Sequence, residues 1–307
     1  MQAAVIAASR RLEVVRTALP EPRTGEVRVR LEGSGICASN LPVWEGREWF
    51  QYPLDPGAPG HEGWGVVDAI GDAAGNVRPG ERVAFLSNRA YAEYDVAKHD
   101  ALVRIPAELA GRKFPGEALG CAMNIFRRSD VQPGQTVAVI GAGFLGNLLV
   151  QLAKSAGARV IALSRRESAR ALARACGADE TLPLDDFGRA GKVERVIECV
   201  GTQWPLDIAT SIIAEGGRLI IAGYHQDGLR QINMQQWNWL GIDVINAHER
   251  DPRNYVRGMQ DAVDAVLAGR IDPAPLLTHE YSLDELGDAL DDIEQRPDGF
   301  VKGTVRL

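Results

Sequence analysis

The first third of the chain alternates apolar and polar residues in short runs. Glu26-Val27-Arg28-Val29-Arg30-Leu31, Gly65-Val66-Val67 and Arg82-Val83-Ala84-Phe85 are separated by turn signals such as Pro59-Gly60 and Pro79-Gly80. A period of two, broken this often, predicts the short half-buried strands of a barrel or sandwich up to about residue 120. From about residue 130 the period changes. Apolar runs at 137–140, 160–163, 196–198, 219–222 and 244–245 alternate with stretches long enough for crossover helices, the signature of a parallel, doubly wound sheet. After the first run, Leu145, Leu148 and Leu152 fall at spacings of three and four, an apolar stripe on one side of a helix. A later helix is predicted from Asp251 as N-cap and Pro252 in its first turn, through Val256, Met259, Val263 and Val266, to an end near Gly269. A helix near 283–294 and a strand-like tail at 303–307 complete the pattern, and no internal repeat is present.

At 307 residues the chain exceeds the length at which one core stops growing, so two domains are expected. With 34 Lys+Arg against 41 Asp+Glu, its net charge of −7 provides no general field for a polyanion, which argues against nucleic acid as a partner. The opening Met1-Gln2-Ala3-Ala4-Val5-Ile6 has no basic leader, so a cytoplasmic protein is expected. The longest apolar stretch, 137–153, contains Asn147, Gln151 and three glycines. It falls short of the roughly 20 residues a membrane helix needs, and no membrane association is expected. The four cysteines, Cys37, Cys121, Cys176 and Cys199, form no CxxC pair, which favours metal, catalytic or core roles over a disulfide framework.

Gly141-Ala142-Gly143-Phe144-Leu145-Gly146 follows the first parallel strand and opens the striped helix, the context a dinucleotide fingerprint requires. The first glycine permits the tight turn. The second lets backbone N–H groups approach a pyrophosphate, and the third allows close packing of helix on strand, while the helix N-terminus favours the negative charge. The end of the second strand selects the cofactor, because an acid there bonds the ribose 2′-OH of NAD whereas arginine accommodates the 2′-phosphate of NADP. This strand ends Ser164-Arg165-Arg166 with no acid at its tip, so NADP(H) is preferred over NAD(H).

Cys37, in Gly35-Ile36-Cys37-Ala38-Ser39-Asn40, and His61-Glu62, in Pro59-Gly60-His61-Glu62-Gly63, stand on turns of the β-rich part. Thiolate, imidazole and carboxylate suit tetrahedral Zn²⁺, whose catalytic sites keep one position open. Taken singly, the cysteine reads as readily as a small core residue and the histidine as a satisfied side chain.

In order along the chain, Gly35-Ile36-Cys37, Gly60-His61-Glu62-Gly63, the segment 133–146, Glu198-Cys199-Val200-Gly201, Gly216-Gly217-Arg218 and Leu277-Thr278 make the whole sequence resemble the medium-chain dehydrogenase/reductase superfamily, in its zinc-type alcohol and polyol dehydrogenase branch. The resemblance implies an α/β fold: a GroES-like β-rich catalytic domain at 1–124, completed by 249–307, and a Rossmann domain with a doubly wound parallel sheet at 125–248. It implies one catalytic Zn²⁺ per chain, since Ser87-Asn88-Arg89-Ala90-Tyr91 lacks the cysteines of the usual structural-zinc lobe. The run from Glu117 to Arg127-Arg128 looks like the polyol branch, which makes Glu117 the third ligand beside Cys37 and His61, in preference to Cys121, with Glu62 a direct or exchangeable ligand. Ser39 matches the hydroxyl that passes the alcohol proton. Asn40 stands where an acid commonly supports the zinc-bound histidine, and Pro42 where some relatives end the proton relay with histidine. Cofactor contacts are implied at Gly141, Gly143, Phe144, Leu145, Gly146, Ser164, Arg165, Arg166, Val200, Gly201 and Gly223, and at Lys302 near the pyrophosphate.

The expectation is a zinc-dependent, NADP-preferring enzyme that interconverts a secondary alcohol, such as a polyol, sugar or cyclitol, with its ketone. The alternatives are a zinc-free enone or quinone reductase of the same superfamily and a non-catalytic NADPH-binding protein. Trp44, Trp49, Tyr224, Trp237, Trp239, His248 and Glu249 are candidates to line a substrate pocket. The apolar row Ile232, Met234, Trp237, Trp239, Leu240, Ile242, Val244 and Ile245 predicts pairing of two sheet edges into a homodimer, or a tetramer built from it.

Overall fold

The computed structural model describes residues 1–226 and 228–307. They form two units, one of 1–120, 251–267 and 274–307, the other of 121–250 and 268–273. In chain order, β1 (Gln2–Ala8) and β2 (Arg11–Arg16) are followed by β3 (Glu26–Gly35), the one-turn helix α1 (Leu41–Glu45), β4 (Glu62–Ile70), β5 (Arg82–Phe85), β6 (Tyr94–Lys98) and β7 (Leu102–Arg104). Helix α2 (Gly116–Ser129) leads to β8 (Thr136–Ile140), α3 (Phe144–Ser155), β9 (Arg159–Leu163), α4 (Glu167–Ala175), β10 (Glu180–Leu182), β11 (Val193–Glu198), α5 (Gln203–Ile212), β12 (Ile213–Ile221), α6 (Met234–Leu240) and β13 (Asp243–Asn246). The chain ends with α7 (Pro252–Leu267), β14 (His279–Tyr281), α8 (Leu286–Gln295) and β15 (Gly303–Arg306).

In the first unit the sheet runs β14-β15-β3-β4-β5-β7, with β6 also on β3, and β1-β2 form a separate hairpin. The alternation seen in the sequence sorts side chains to one face: Val27, Val29 and Leu31 pack with Val67, Val83, Phe85 and Ala97. Burying each such side chain contributes about 1.5–3 kcal/mol, so a one-residue slip of β3 on β4 would turn this set out to solvent. The retained register pairs Gly35 with Glu62. A second cluster joins Ile6, Ile36, Trp44 and Tyr91 to Leu286, Leu290 and Val305 from the end of the chain.

The second unit is a six-stranded parallel sheet in the order β10-β9-β8-β11-β12-β13. β8 and β11 lie centrally, and strand order reverses between them, the switch point where such sheets take their ligands. Val137, Ala138, Val139 and Ile140 are fully buried, as a strand covered on both faces requires. On α3, Leu148 and Leu152 are buried and Leu145 is half-buried.

Three details differ from the sequence reading. The first boundary falls inside α2 at residue 120 rather than 124, and the tail does not lie wholly with the first unit, because 268–273 joins the second. The reason is Gln151 on α3, whose side chain both donates to the Asp272 carbonyl and accepts its N–H. The helix expected near 283–294 is a 3-10 turn, Leu283–Glu285, closed by a Ser282/Glu285 capping box, followed by α8. Asp251 does cap α7, accepting the Arg253 N–H. Among the described residues, no helix is long and apolar enough to cross a membrane.

Candidate active site

The β3–β4 register assembles the first constellation. Cys37 follows β3 by two residues and caps the 3-10 turn Ala38–Asn40, while His61 immediately precedes β4, whose first residue is Glu62. With Gly35 opposite Glu62, the two strand ends converge. One ligand atom each from Cys37, His61 and Glu62 lie within 4.8 Å of one another. The Glu62 carboxylate folds across Gly35, where a Cβ would stand 1.9 Å from Oε2, so no larger residue fits. Burial opposes charge on His61, but the Cys37 sulfur beside it and the charges of Cys37, Glu117 and Glu62 outweigh that and raise its pKa from 6.5 to about 10. A pocket that holds a proton this firmly is built for positive charge, and a thiolate, an imidazole and a carboxylate fit Zn²⁺. Glu62 Oε2 makes no aligned hydrogen bond, although it is ion-paired with the Lys302 ammonium.

Glu117, on the first turn of α2, lies outside the three-residue cluster, though its charge reaches His61 and Lys302. The position beside the two soft ligands is filled by Glu62, because β4 starts there. Cys121 belongs to the second unit. Lys302 does not offer its ammonium to a cofactor phosphate in this structure: Nζ is buried, 2.7 Å from Glu62 Oε2 and 2.9 Å from Oε1, and it donates to the Ile36 carbonyl at 3.2 Å. The directed bond is the one to Oε1; the closer Oε2 contact is an ion pair without hydrogen-bond alignment. Burial lowers the Lys302 pKa, and Glu62, Cys37 and Glu117 more than restore it. Lys302 reaches there because β15, which it precedes, pairs Thr304 with Gly35. Ser39 sits half-buried on the 3-10 turn, two residues from Cys37, and Pro42 lies in α1.

The second constellation is the turn from β8 to α3. Gly141 adopts φ +101°, closed to most side chains, and Gly143 is the N-cap of α3. A Cβ on Gly146 would fall 1.9 Å from the Gly141 carbonyl oxygen, whereas one on Gly143 meets nothing within 4 Å. The turn is thus packed beneath and open above, the cradle a pyrophosphate occupies. At the tip of β9, Ser164 and Arg166 are half-buried and Arg165 is exposed. The nearest acid, Glu167, is engaged by Arg170 and Arg174, which leaves the tip basic.

The Alcohol dehydrogenase GroES-like domain family matches residues 23–122, and the Zinc-binding dehydrogenase family matches 145–266. An alcohol dehydrogenase of Geobacillus stearothermophilus is 25% identical over 349 aligned positions covering 100% of this chain and 98% of that protein. Among solved structures, a putative zinc-binding dehydrogenase from Sinorhizobium meliloti 1021 bound to NADP superposes with a TM-score of 0.88 at 25% identity, covering 100% and 99% of the two chains. A cobalt- and zinc-bound thermostable alcohol dehydrogenase from Pyrobaculum aerophilum gives 0.86 at 26% identity, covering 100% and 99%. The chain belongs to the medium-chain dehydrogenase/reductase superfamily.

This dehydrogenase also uses residues that pattern reading passed over. Glu198, fully buried at the end of β11, accepts the N–H groups of Val200 and Gly201 through Oε1 and faces His225 Nε2 at 3.0 Å through Oε2. Arg230 donates to His225 Nδ1, so the ring's proton is on Nε2, toward Glu198. These bonds gather Val200, Gly201 and Gly223 at the carboxyl ends of β11 and β12, where a Cβ on Gly223 would fall 2.3 Å from the Gly201 nitrogen. A charged residue closing an apolar strand was the available signal. Of the expected pocket aromatics, Trp44 is core, donating to Asp291. Trp237 packs on the second unit's core, and Trp49 and Trp239 are exposed. Tyr224 and His248, just beyond β12 and β13, stack at 6.0 Å, with Glu249 next to them in sequence.

Two sets of variants test this description. Gly143→Ala should fold with an unchanged melting temperature yet bind dinucleotide at least tenfold more weakly, whereas Gly146→Ala should lower the melting temperature itself; calorimetry and cofactor titration separate them, and equal melting losses would refute the open-and-packed turn. In the metal-free protein, Lys302→Met should cost about 3–5 kcal/mol in a urea titration because it strands a buried carboxylate. Adding Glu62→Gln should recover most of that loss, and a single variant as stable as the parent would show the pair to be dispensable.

Proposed function

We propose that this protein is a zinc-dependent, NADP(H)-preferring dehydrogenase that interconverts a secondary alcohol, of the polyol, sugar or cyclitol class, with its ketone. The observation that carries the reading is the cluster of Cys37, His61 and Glu62, in a chain that also has the open glycine cradle. A bound zinc ion supplies Lewis acidity, and the nicotinamide supplies the partner for hydride exchange. Cys37 and His61 hold the metal with a carboxylate, Glu62 as the cluster stands, and Glu117 near enough to contribute charge or exchange with it. Ser39, on the turn that carries Cys37, passes the alcohol proton. Gly141, Gly143, Phe144, Leu145 and Gly146 bind the pyrophosphate, Val200, Gly201 and Gly223 line the nicotinamide half, and Ser164, Arg165 and Arg166 take the 2′-phosphate. The NADP found in the Sinorhizobium meliloti structure accords with that choice.

The test is a panel of polyols and ketones assayed with both cofactors, beside metal analysis. The expected outcome is one zinc per chain, turnover abolished by Cys37→Ala, and NADP(H) affinity weakened at least tenfold by Arg165→Ala/Arg166→Ala with NAD(H) affinity little changed, since each charge-assisted bond is worth about 1.5–3 kcal/mol. Turnover that survives metal removal would turn the reading toward a zinc-free reductase. Cofactor binding without turnover on any substrate would favour a non-catalytic role.

We further propose a homodimer, or a tetramer built from it, through the β13 edge. That strand is the last of its sheet, and Ile232, Met234, Trp239 and Val244 stay exposed along it and α6, although Trp237, Leu240 and Ile242 pack inward. Light scattering at micromolar concentration should give twice the 33.2 kDa chain mass or more, and Val244→Lys should reduce it. A monomeric mass for the parent protein would refute the pairing.

A further inference from the structure

The loop after β5 is where the structural-zinc lobe is missing, and it ends in Tyr91, whose side chain is fully buried. Its backbone is tied down on both sides, the N–H to the Gly57 carbonyl and the carbonyl to the Ala4 N–H. A Cβ on Gly60 would stand 2.5 Å from the Tyr91 nitrogen and 2.8 Å from its ring, so the residue before His61 must be glycine for that chain to lie against the tyrosine. The Tyr91 hydroxyl lies 2.7 Å from Asn40 Oδ1. The Asn40 amide nitrogen lies 3.4 Å from the Pro59 carbonyl, which is also 2.9 Å from His61 Nδ1.

Only one direction of donation satisfies this chain. The Pro59 carbonyl can only accept, so His61 carries its proton on Nδ1, and Asn40 must turn its NH₂ to the same carbonyl. That turns Asn40 Oδ1 to the hydroxyl, which must donate to it. His61 Nε2 is then the nitrogen without a proton when the ring is neutral, available to a metal. One buried hydroxyl therefore reaches His61 through one amide and one carbonyl.

We propose that Tyr91 and Asn40 are positioning residues that set His61 for the metal through an uncharged relay; this rests on the zinc reading above. A carboxylate in place of Asn40 would add a further negative charge to a pocket that already buries Glu62 and holds a thiol ligand, whereas the amide orients the imidazole without one.

The test uses the full chain, with Zn²⁺ affinity measured by competition against a chromophoric chelator and the visible absorption of the Co²⁺-substituted protein as a report on ligand geometry. Tyr91→Phe, which removes one oxygen, should weaken Zn²⁺ binding roughly tenfold and change the Co²⁺ spectrum, the scale on which outer-shell partners act. Asn40→Ala should do the same, and it carries the expectation alone if Tyr91→Phe does not fold. The double variant should lose little more than either single one, because both cut one path. Unchanged affinity and spectrum in the singles, or losses that simply add, would overturn the relay while leaving the zinc reading intact. A parent protein that takes up no Zn²⁺ would overturn that reading and this inference with it.

Discussion

The antiparallel register that sets Gly35 opposite Glu62 is the constraint on which the site depends. It is held from a distance, by Val27, Val29 and Leu31 packing against Val67, Val83 and Phe85, residues that have no part in chemistry. Because side chains alternate with a period of two, that packing leaves one register, and the register delivers Cys37 and His61 to the same end of the sheet. The last strand joins the same edge through Thr304 and Gly35 and carries Lys302 in with it. A hydrophobic core thus decides which polar groups meet.

What meets there is electrostatically expensive without compensation. Glu62 and Lys302 are both buried, and each is tolerated because the other is within 3 Å. His61 is drawn toward its protonated form by the same surroundings, so the metal-free pocket holds a proton where a cation belongs. The pair also explains why Gly35 has no side chain: the carboxylate that balances the ammonium occupies the space.

The glycines of the second unit divide by what surrounds them. Gly146 and Gly223 are closed in by backbone, at 1.9 Å and 2.3 Å from where a Cβ would be, and serve close packing. Gly143 faces open space and serves an approaching ligand. For Gly143 and Gly146 this matches the roles their places in the fingerprint imply. Glu198 belongs with the first kind, its carboxylate replacing the backbone partners that the turn at Val200-Gly201 would otherwise lack.

The sequence by itself determined the two-part architecture, the glycine cradle and the basic tip of β9, because each is written in local periodicity or in adjacent residues: 137–146 reads as strand, turn and helix without reference to anything distant. Cys37 and His61 read only as candidates from their residue types, and the resemblance of the whole chain implied them as metal ligands. The sequence did not determine which carboxylate joins them, since Glu62 and Glu117 are separated by 55 positions and only strand pairing places Glu62 in the cluster. Nor did it reveal the partner of Lys302, which is 240 positions away and is met through the β15–β3 pairing. Tyr91 carries no local signal as a tyrosine in a loop, and its place beside Asn40 exists only once Gly57 and Gly60 have closed around it. Contacts between residues near in sequence are legible from composition and spacing, whereas those that choose among equivalent side chains across the chain are settled by packing.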